Sequence, residues 1–305
     1  MNTHEKPLIS IALCTYNGEK FLEEQLDSLI QQDYRPIEII AVDDFSSDRS
    51  FEILQKYKQR FSYFKIFRNP ENLGFLKNFE KSLSLCKGEY IAFCDQDDIW
   101  LPNKLSLQIE NLGSNGLIYH DSELINESGT SLSIKISDLI NMYEGNSPLP
   151  FLLRNCVSGH AILIHRKIVE DILPFQIGYH DWWTAYVAAN TTGIKYLDSC
   201  LVKYRQHGDS ATKILKQSQE NYYYPPLDYF KIFNSYSKNN NPKLINNLYA
   251  VWQAYDTCNF SFKEYLSLLK NYKLFFFISK VSNKNKLNFV KKLFIKKTKR
   301  LFRKN

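Results

Sequence analysis

ISIALCTYNGEKFLEEQLDSLIQQDYRPIEIIAVDD, from Ile9 to Asp44, changes its hydrophobic period twice. Ile9 to Tyr16 is a short apolar run that suits a buried strand. In the next segment Leu22, Leu26, Leu29 and Ile30 recur at helical spacing. Ile37 to Asp44 is strand-like again. Working outward, SSDRSFEILQKY carries capping residues before a second helical stripe, FKIFRN reads as a third strand, FLKNFEKSLSLC as a third helix and EYIAFCDQDD as a fourth strand. Strands separated by helices of this length predict βαβ units and a mostly parallel sheet, an α/β fold. Ligands of such sheets bind beyond the carboxyl ends of the strands. The polar clusters TYNG, DDFSSD and DQDD lie at those ends.

Beyond Leu112 the pattern changes. GLIYHDSELIN and HAILIHR look like strands around an irregular middle, Glu127 to Pro150. DWWTAYVAANTTG reads as a helix, IKYLDSCLVKYRQH as a last strand, and the chain from about Lys216 as helical.

Of the 305 residues, 44% are hydrophobic, enough for one large domain with additions or for two. MNTHEKPLIS has no apolar core of a leader, and no run approaches the ~18 apolar residues of a membrane span, so neither is expected. The six cysteines form no CxxC pair and read as reduced residues of a cytosolic protein. The net charge of +7 hides an asymmetry. Between Tyr265 and Asn305 lie 13 Lys or Arg and no acid, leaving 26 basic against 32 acidic residues, a balance of −6, in Met1 to Glu264. A basic tail on an acidic body predicts contact with an anionic surface.

The cluster Asp95, Gln96, Asp97, Asp98 places three carboxylates within four residues, which is costly unless a cation or proton compensates. One or two carboxylates with substrate phosphates suit Mg²⁺ or Mn²⁺. The alternative is an acidic turn capping the helix that starts near Pro102. No GxGxxG follows the first strand and no GxxxxGK[ST] occurs, so neither a dinucleotide nor a P-loop reading is supported. Tyr16 can stack on a nucleobase or sit at the core rim. Asp44 can accept a base N–H or serve as a turn residue.

ISIALCTYNGEKFLEEQLDSLIQQ, EIIAVDDFSSDRS, NLGFLKNFEKSL, GEYIAFCDQDDIWLPNKL and YRQHGDS together resemble the family-two glycosyltransferases, in particular their bacterial rhamnosyltransferase-like branch, over about Leu8 to Ser210. The resemblance implies a GT-A fold with a Rossmann-like, mostly parallel sheet flanked by helices, and inverting sugar transfer assisted by Mg²⁺ or Mn²⁺. It divides residues 1–215 into a nucleotide-sugar half, 1–112, and an acceptor half, 113–215, with residues 216–305 as a helical basic C-terminal extension. It implies that Thr15, Tyr16 and Asn17 contact the nucleotide and that Asp44 pairs with a pyrimidine. Asp95 and Asp97 match the D-x-D, Asp97 being the direct metal ligand, and Asp181 matches the general base. His180 stands where many relatives carry an acidic residue. Arg205 and His207 match a late motif that closes over the diphosphate, with His207 counted among the metal ligands.

Inverting transfer needs a base on the acceptor hydroxyl, and a partly desolvated carboxylate such as Asp181 serves. Trp182 and Trp183 are expected either to offer apolar faces to the acceptor sugar or to fill the core. In the tail, Leu287, Val290, Leu293, Phe294, Leu301 and Phe302 fall near one helical stripe, which predicts a basic amphipathic helix at an anionic membrane surface. No nucleic-acid motif accompanies it. The expected partners are a dTDP- or UDP-linked sugar, a glycan or lipid-linked acceptor, and the inner face of the cell membrane. The competing readings are a sugar-nucleotide pyrophosphorylase, whose Gly- and Arg-rich first loop is absent, and a non-catalytic surface-binding protein.

Overall fold

The computed structural model describes residues 6–208, 227–236, 238–254 and 259–302, with side chains of the last helix described as far as Ile295. The apolar run of the opening stretch becomes β1 (Ile9–Thr15), followed by α1 (Glu19–Ile30), β2 (Ile37–Asp43), α2 (Ser50–Arg60), β3 (Phe64–Arg68), α3 (Phe75–Leu85) and β4 (Tyr90–Cys94). β1 pairs in parallel with β2 and β4, and β2 with β3, giving the order β3-β2-β1-β4. The order reverses between β1 and β4, the topological switch where open α/β sheets bind ligands.

Side-chain alternation sends each strand into two cores. Ile9, Ile11 and Leu13 of β1, Ile39 and Ala41 of β2, and Cys94 of β4 pack with Leu22, Leu26 and Leu29 of α1 and with Ile53 and Leu54 of α2. Ala12, Ile40, Val42, Ile91 and Phe93 face the other way, onto Phe79 and Leu83 of α3. Both faces of this half are buried, which is why its strands read as continuous apolar runs rather than alternating ones.

The second half is less regular. β5 (Ile99–Trp100) leaves the acidic cluster directly and precedes α4 (Lys104–Leu112), so the helix after DQDD is reached through a strand and is not capped by the cluster. β6 (Leu117–Ile125) forms a hairpin with β7 (Ser131–Lys135), inside the stretch expected to be irregular. A short helix α5 (Ile136–Leu139), β8 (Leu163–His165), α6 (Val169–Ile172), α7 (His180–Thr191) and β9 (Ile194–Arg205) follow. β8 runs antiparallel to β4 and β6, while β9 runs parallel to β6 and antiparallel to β5. The sheet as a whole is mixed: parallel pairing runs through the first half and recurs between β6 and β9.

Beyond it come α8 (Leu227–Ser235), α9 (Pro242–Gln253), α10 (Phe262–Phe275) and α11 (Asn283–Phe302). Phe230, Phe233, Trp252, Phe275, Val290 and Leu293 are buried in the same core as Phe93, Leu117 and α7. The stripe foreseen for a membrane is therefore turned inward: Val290 and Leu293 are buried, and Phe294 stacks on Tyr265 at 4.6 Å. That corrects the expectation of a free apolar face, because burying it on α10 gains the apolar contact a bilayer would have supplied. The Leu301 and Phe302 side chains lie outside the described residues, as does Cys258. Cys14, Cys86, Cys94, Cys156 and Cys200 are free thiols. Among the described residues no helix is long and apolar enough to cross a membrane.

Candidate active site

The loops after β1, β2 and β4 meet at the switch point, and side-chain to main-chain hydrogen bonds hold them together. Gln96, between Asp95 and Asp97, accepts from the Tyr16 N–H at 2.8 Å and donates to the Tyr16 carbonyl at 3.0 Å. A Cβ on Gly18 would lie 2.3 Å from Gln96 Oε1, so a side chain there would displace the Gln96 amide that ties the first loop to the fourth. Asn17 sits at φ 47°, a conformation asparagine tolerates, and its Oδ1 accepts from the Ser47 N–H at 2.9 Å. Thr15 is 1% exposed and its hydroxyl lies 3.3 Å from Asp43 Oδ1. It braces β1 to β2, whereas Tyr16, 48% exposed, and Asn17 are the exposed members of the three residues expected on the nucleotide.

The two aspartates closing β2 have different tasks. Asp43 is fully buried, within 3.3 Å of Arg68 Nε and accepting from Ser46. Asp44 Oδ1 accepts from Asn69 Nδ2 at 2.6 Å and from the Leu73 N–H at 2.8 Å, and Oδ2 accepts from the Gly74 N–H at 2.9 Å. A carboxylate offers about four lone-pair sites, so one remains on Oδ2. Phe45 is held at φ 63° between these anchors with its ring half exposed.

Beneath the fourth loop lies an acidic, largely buried cluster. Asp98 is 1% exposed, accepting from the Arg205 N–H at 2.9 Å, with Oδ2 3.5 Å from His160 Nδ1. Single ligand atoms of Asp95, Asp98 and His160 lie within 4.8 Å of one another. The countercharge is Lys104, fully buried, its Nζ 3.0 Å from the Trp100 ring centroid. Burial lowers the Lys104 pKa to about 7 against the pull of Cys94, Asp98 and Asp95. Nearer the mouth, Asp97 Oδ2 lies 2.8 Å from His207 Nε2. β5–β9 pairing, with Trp100 opposite Val202, delivers His207 to that position.

Arg205 does not face outward. Its guanidinium is 2% exposed in the side chain, donating from Nε to the Asp97 carbonyl at 2.8 Å, from one terminal nitrogen to the Glu127 carbonyl at 2.9 Å, and from the other to Glu24 at 2.5 Å. The expectation that it contacts the diphosphate is corrected: those donors are spent on the protein, and they fix the main chain of Asp97 instead.

The expected base lies close enough to Asp95 for its charge to act there. Asp181, in the first turn of α7, accepts from its neighbour Trp182 N–H at 2.6 Å. Burial raises its pKa to about 7, outweighing main-chain hydrogen bonds from Trp182, Asp181 and Gly159. Burial also raises Asp95 to about 7, aided by the charges of Asp97 and Asp181. The acceptor role foreseen for the two tryptophans is corrected as well. Trp182 and Trp183 are 4% and 2% exposed, and their indole N–H groups donate to the carbonyls of Phe151 at 2.6 Å and Ile172 at 2.9 Å. They hold α7, and through it Asp181.

Lys104, His160 and the bracing role of Gln96 escaped the sequence reading. Lys104 had a signal, since it shares the buried stripe of Leu105, Gln108 and Leu112 on α4, but lysine near a helix start reads as solvated. Gln96 and His160 had none, because their partners are distant in sequence.

A Rossmann-like half ending in carboxylates at the switch point, joined to a mixed second half, is the architecture of a GT-A glycosyltransferase. The chain belongs to glycosyl transferase family 2, whose model matches residues 10–173. An uncharacterized glycosyltransferase of Rickettsia felis is 31% identical over 227 residues, 70% of this chain and 36% of that protein. One from Methanocaldococcus jannaschii is 26% identical over 231 residues, 72% of this chain and 78% of that protein. The chain spans about a third of the length of the Rickettsia felis, conorii and bellii relatives (36%, 36% and 32%). Among solved structures, S. aureus TarS 1–349 in complex with UDP is similar in fold, with a TM-score of 0.59 at 17% identity over 88% of this chain and 79% of that one. The mannosyltransferase from Pyrobaculum calidifontis in complex with GDP-Man and Mn²⁺ has a TM-score of 0.52 at 14% identity, covering 97% and 88%.

Proposed function

We propose that the chain moves a sugar, with inversion, from a dTDP- or UDP-linked donor to a hydroxyl of a growing glycan or lipid-linked acceptor. The motif resemblance favours rhamnose. The observation that carries this reading is the gathering of carboxylates at the switch point: Asp97 pairs with His207 at 2.8 Å, and the charges of both Asp97 and the buried Asp181 reach Asp95. Family membership favours transfer over pyrophosphorolysis or non-catalytic binding.

The residues fit a divalent cation. Asp97 and His207 supply a carboxylate and an imidazole, with Asp95 close enough to feel the charge of Asp97. His160 and Asp98 belong to the inner cluster that Lys104 already balances. Bound Mg²⁺ or Mn²⁺ would offset charge developing on the departing diphosphate. Tyr16 stacks on the base, the free lone pair of Asp44 accepts its N–H, and Thr15 and Asn17 fix the loop that carries Tyr16. Arg205 is a positioning residue. Asp181 takes the proton from the acceptor hydroxyl as the new glycosidic bond forms and the donor's bond to diphosphate breaks. In this reading residues 1–112 bind donor, 113–215 serve the acceptor, and 216–305 complete the core and carry basic charge.

A panel of dTDP-, UDP- and GDP-sugars tests this by thermal stabilisation with and without Mn²⁺. Mn²⁺-dependent stabilisation by a dTDP- or UDP-sugar is expected. Stabilisation by none of the panel would contradict the donor reading.

We also propose that α11 meets an anionic membrane at the cytoplasmic face through charge. Lys284, Lys291 and Lys292 are exposed, and neighbouring Ile295 is 49% exposed. Each basic residue near such a surface contributes ~1 kcal/mol, weakened by salt. Since Val290 and Leu293 are core residues, removing the helix would damage the fold. The triple charge reversal Lys284→Glu, Lys291→Glu, Lys292→Glu is the better test. It should keep the melting temperature and lose at least tenfold in co-sedimentation with phosphatidylserine vesicles at low salt. Equal sedimentation would contradict the membrane role.

A further inference from the structure

With both tryptophans buried, the base needs another surface to hold the acceptor sugar. We propose that Phe75 and Tyr179 form that surface, a pair of aromatic faces on which a pyranose ring of the acceptor stacks. The proposal rests on Asp181 being the base.

Both rings are exposed where a core residue would not be: Phe75 is 51% and Tyr179 37% accessible. Both adjoin the Asp181 corner. Tyr179 is the residue before α7, two positions ahead of Asp181, and its carbonyl accepts from the Trp183 N–H at 3.1 Å. Its ring is 6.4 Å from both Trp182 and Tyr229, while Tyr229 in turn accepts from the Gly178 N–H at 3.0 Å. Phe75 opens α3 directly after Gly74, whose N–H is held by Asp44, and its ring packs edge-on to His180 at 6.1 Å. Two rigid aromatic rings on pinned backbones lose little entropy when a ligand covers them.

His180 is a second, independent pointer. It is more than nine-tenths buried, stacked on Phe79 at 4.1 Å, and neither ring nitrogen has a hydrogen-bond partner among the described residues. A Cβ at Gly159 would lie 2.8 Å from His180 Nε2 and 3.8 Å from Asp95 Oδ2, so the imidazole edge borders the reaction corner. Buried polar atoms left unpaired are costly, so the imidazole keeps unmet hydrogen-bonding capacity just beneath this corner. Isolated rings set among Asp181, Asp95 and His180 suit a carbohydrate, which has apolar C–H faces and polar edges, better than a lipid chain. The donor's base and diphosphate are already provided for at Tyr16, Asp44, Asp97 and His207, which leaves this side to the acceptor.

The test uses p-nitrophenyl glycosides as soluble acceptors and water as the competing one, with the full chain and the nucleotide sugar that stabilises it most. Phe75→Ala and Tyr179→Ala should each raise the KM for the glycoside about tenfold. Donor hydrolysis, donor affinity and melting temperature should stay unchanged. Phe75→Tyr and Tyr179→Phe should restore the KM. An unchanged glycoside KM in both alanine variants would overturn the proposal. So would an equal loss in donor hydrolysis and nucleotide-sugar affinity, which would assign the rings to the donor sugar. Failure of Asp181 as base would instead appear in Asp181→Asn and leave these KM ratios where they are.

Discussion

Asp181→Asn is expected to lower transfer on the order of 10²–10⁴-fold while nucleotide-sugar affinity and melting temperature stay near those of the unaltered chain. The amide keeps the shape and the acceptor oxygen for the Trp182 N–H, and removes only the capacity to take a proton. The pH profile carries the same information with a definite sign. Burial raises Asp181 to about 7, so the base is protonated and idle below that pH and competent above it. The rate should rise about tenfold per unit up to pH 7 and then level. Asp95 is raised to the same range and interacts with Asp181, so the midpoint belongs to the pair. Near-native turnover in Asp181→Asn would exclude this residue as the base.

Asp97→Ala is expected to abolish the Mn²⁺-dependent part of nucleoside diphosphate affinity, a loss of at least ~100-fold in apparent metal affinity. The fold should survive, because the contact Arg205 makes here is with the Asp97 main-chain carbonyl, which alanine retains. Titration calorimetry with UDP or dTDP, with and without Mn²⁺, separates the two effects. Unchanged Mn²⁺-dependent affinity would remove Asp97 from the metal site.

The parallel half of the fold was legible in the sequence because periodicity there is unambiguous. Both faces of β1, β2 and β4 are buried, and the helices between them carry single stripes. In the second half β6, β8, α7 and β9 were legible, but two strands were not, for particular reasons. β5 is two residues long, and β7 is a half-exposed strand whose alternation, SLSIK, is too short to stand out. Its pairing depends on β6, which no local pattern announces.

The site divided in the same way. The acidic cluster, Asp44 and Asp181 were visible as residue types at strand ends and at a helix start. Their partners were not. Arg205 is a cationic residue in a motif, and sequence alone invites it toward phosphate. Only the fold reveals that Asp97, Glu127 and Glu24 occupy its donors. Trp182 and Trp183 fail as ligands for a similar reason. α7 is buried along nearly its whole length, from Trp182 to Asn190, so aromatic residues on it are core. Tyr179, just outside the helix, inherits the exposure.

The most direct test of the central claim is release of nucleoside diphosphate from dTDP- and UDP-sugars by the full chain, with Mn²⁺ and with excess EDTA. The account predicts release with at least one donor, suppressed by EDTA, and lost in Asp97→Ala. Release that is equal in EDTA, or that persists undiminished in Asp97→Ala, would contradict it.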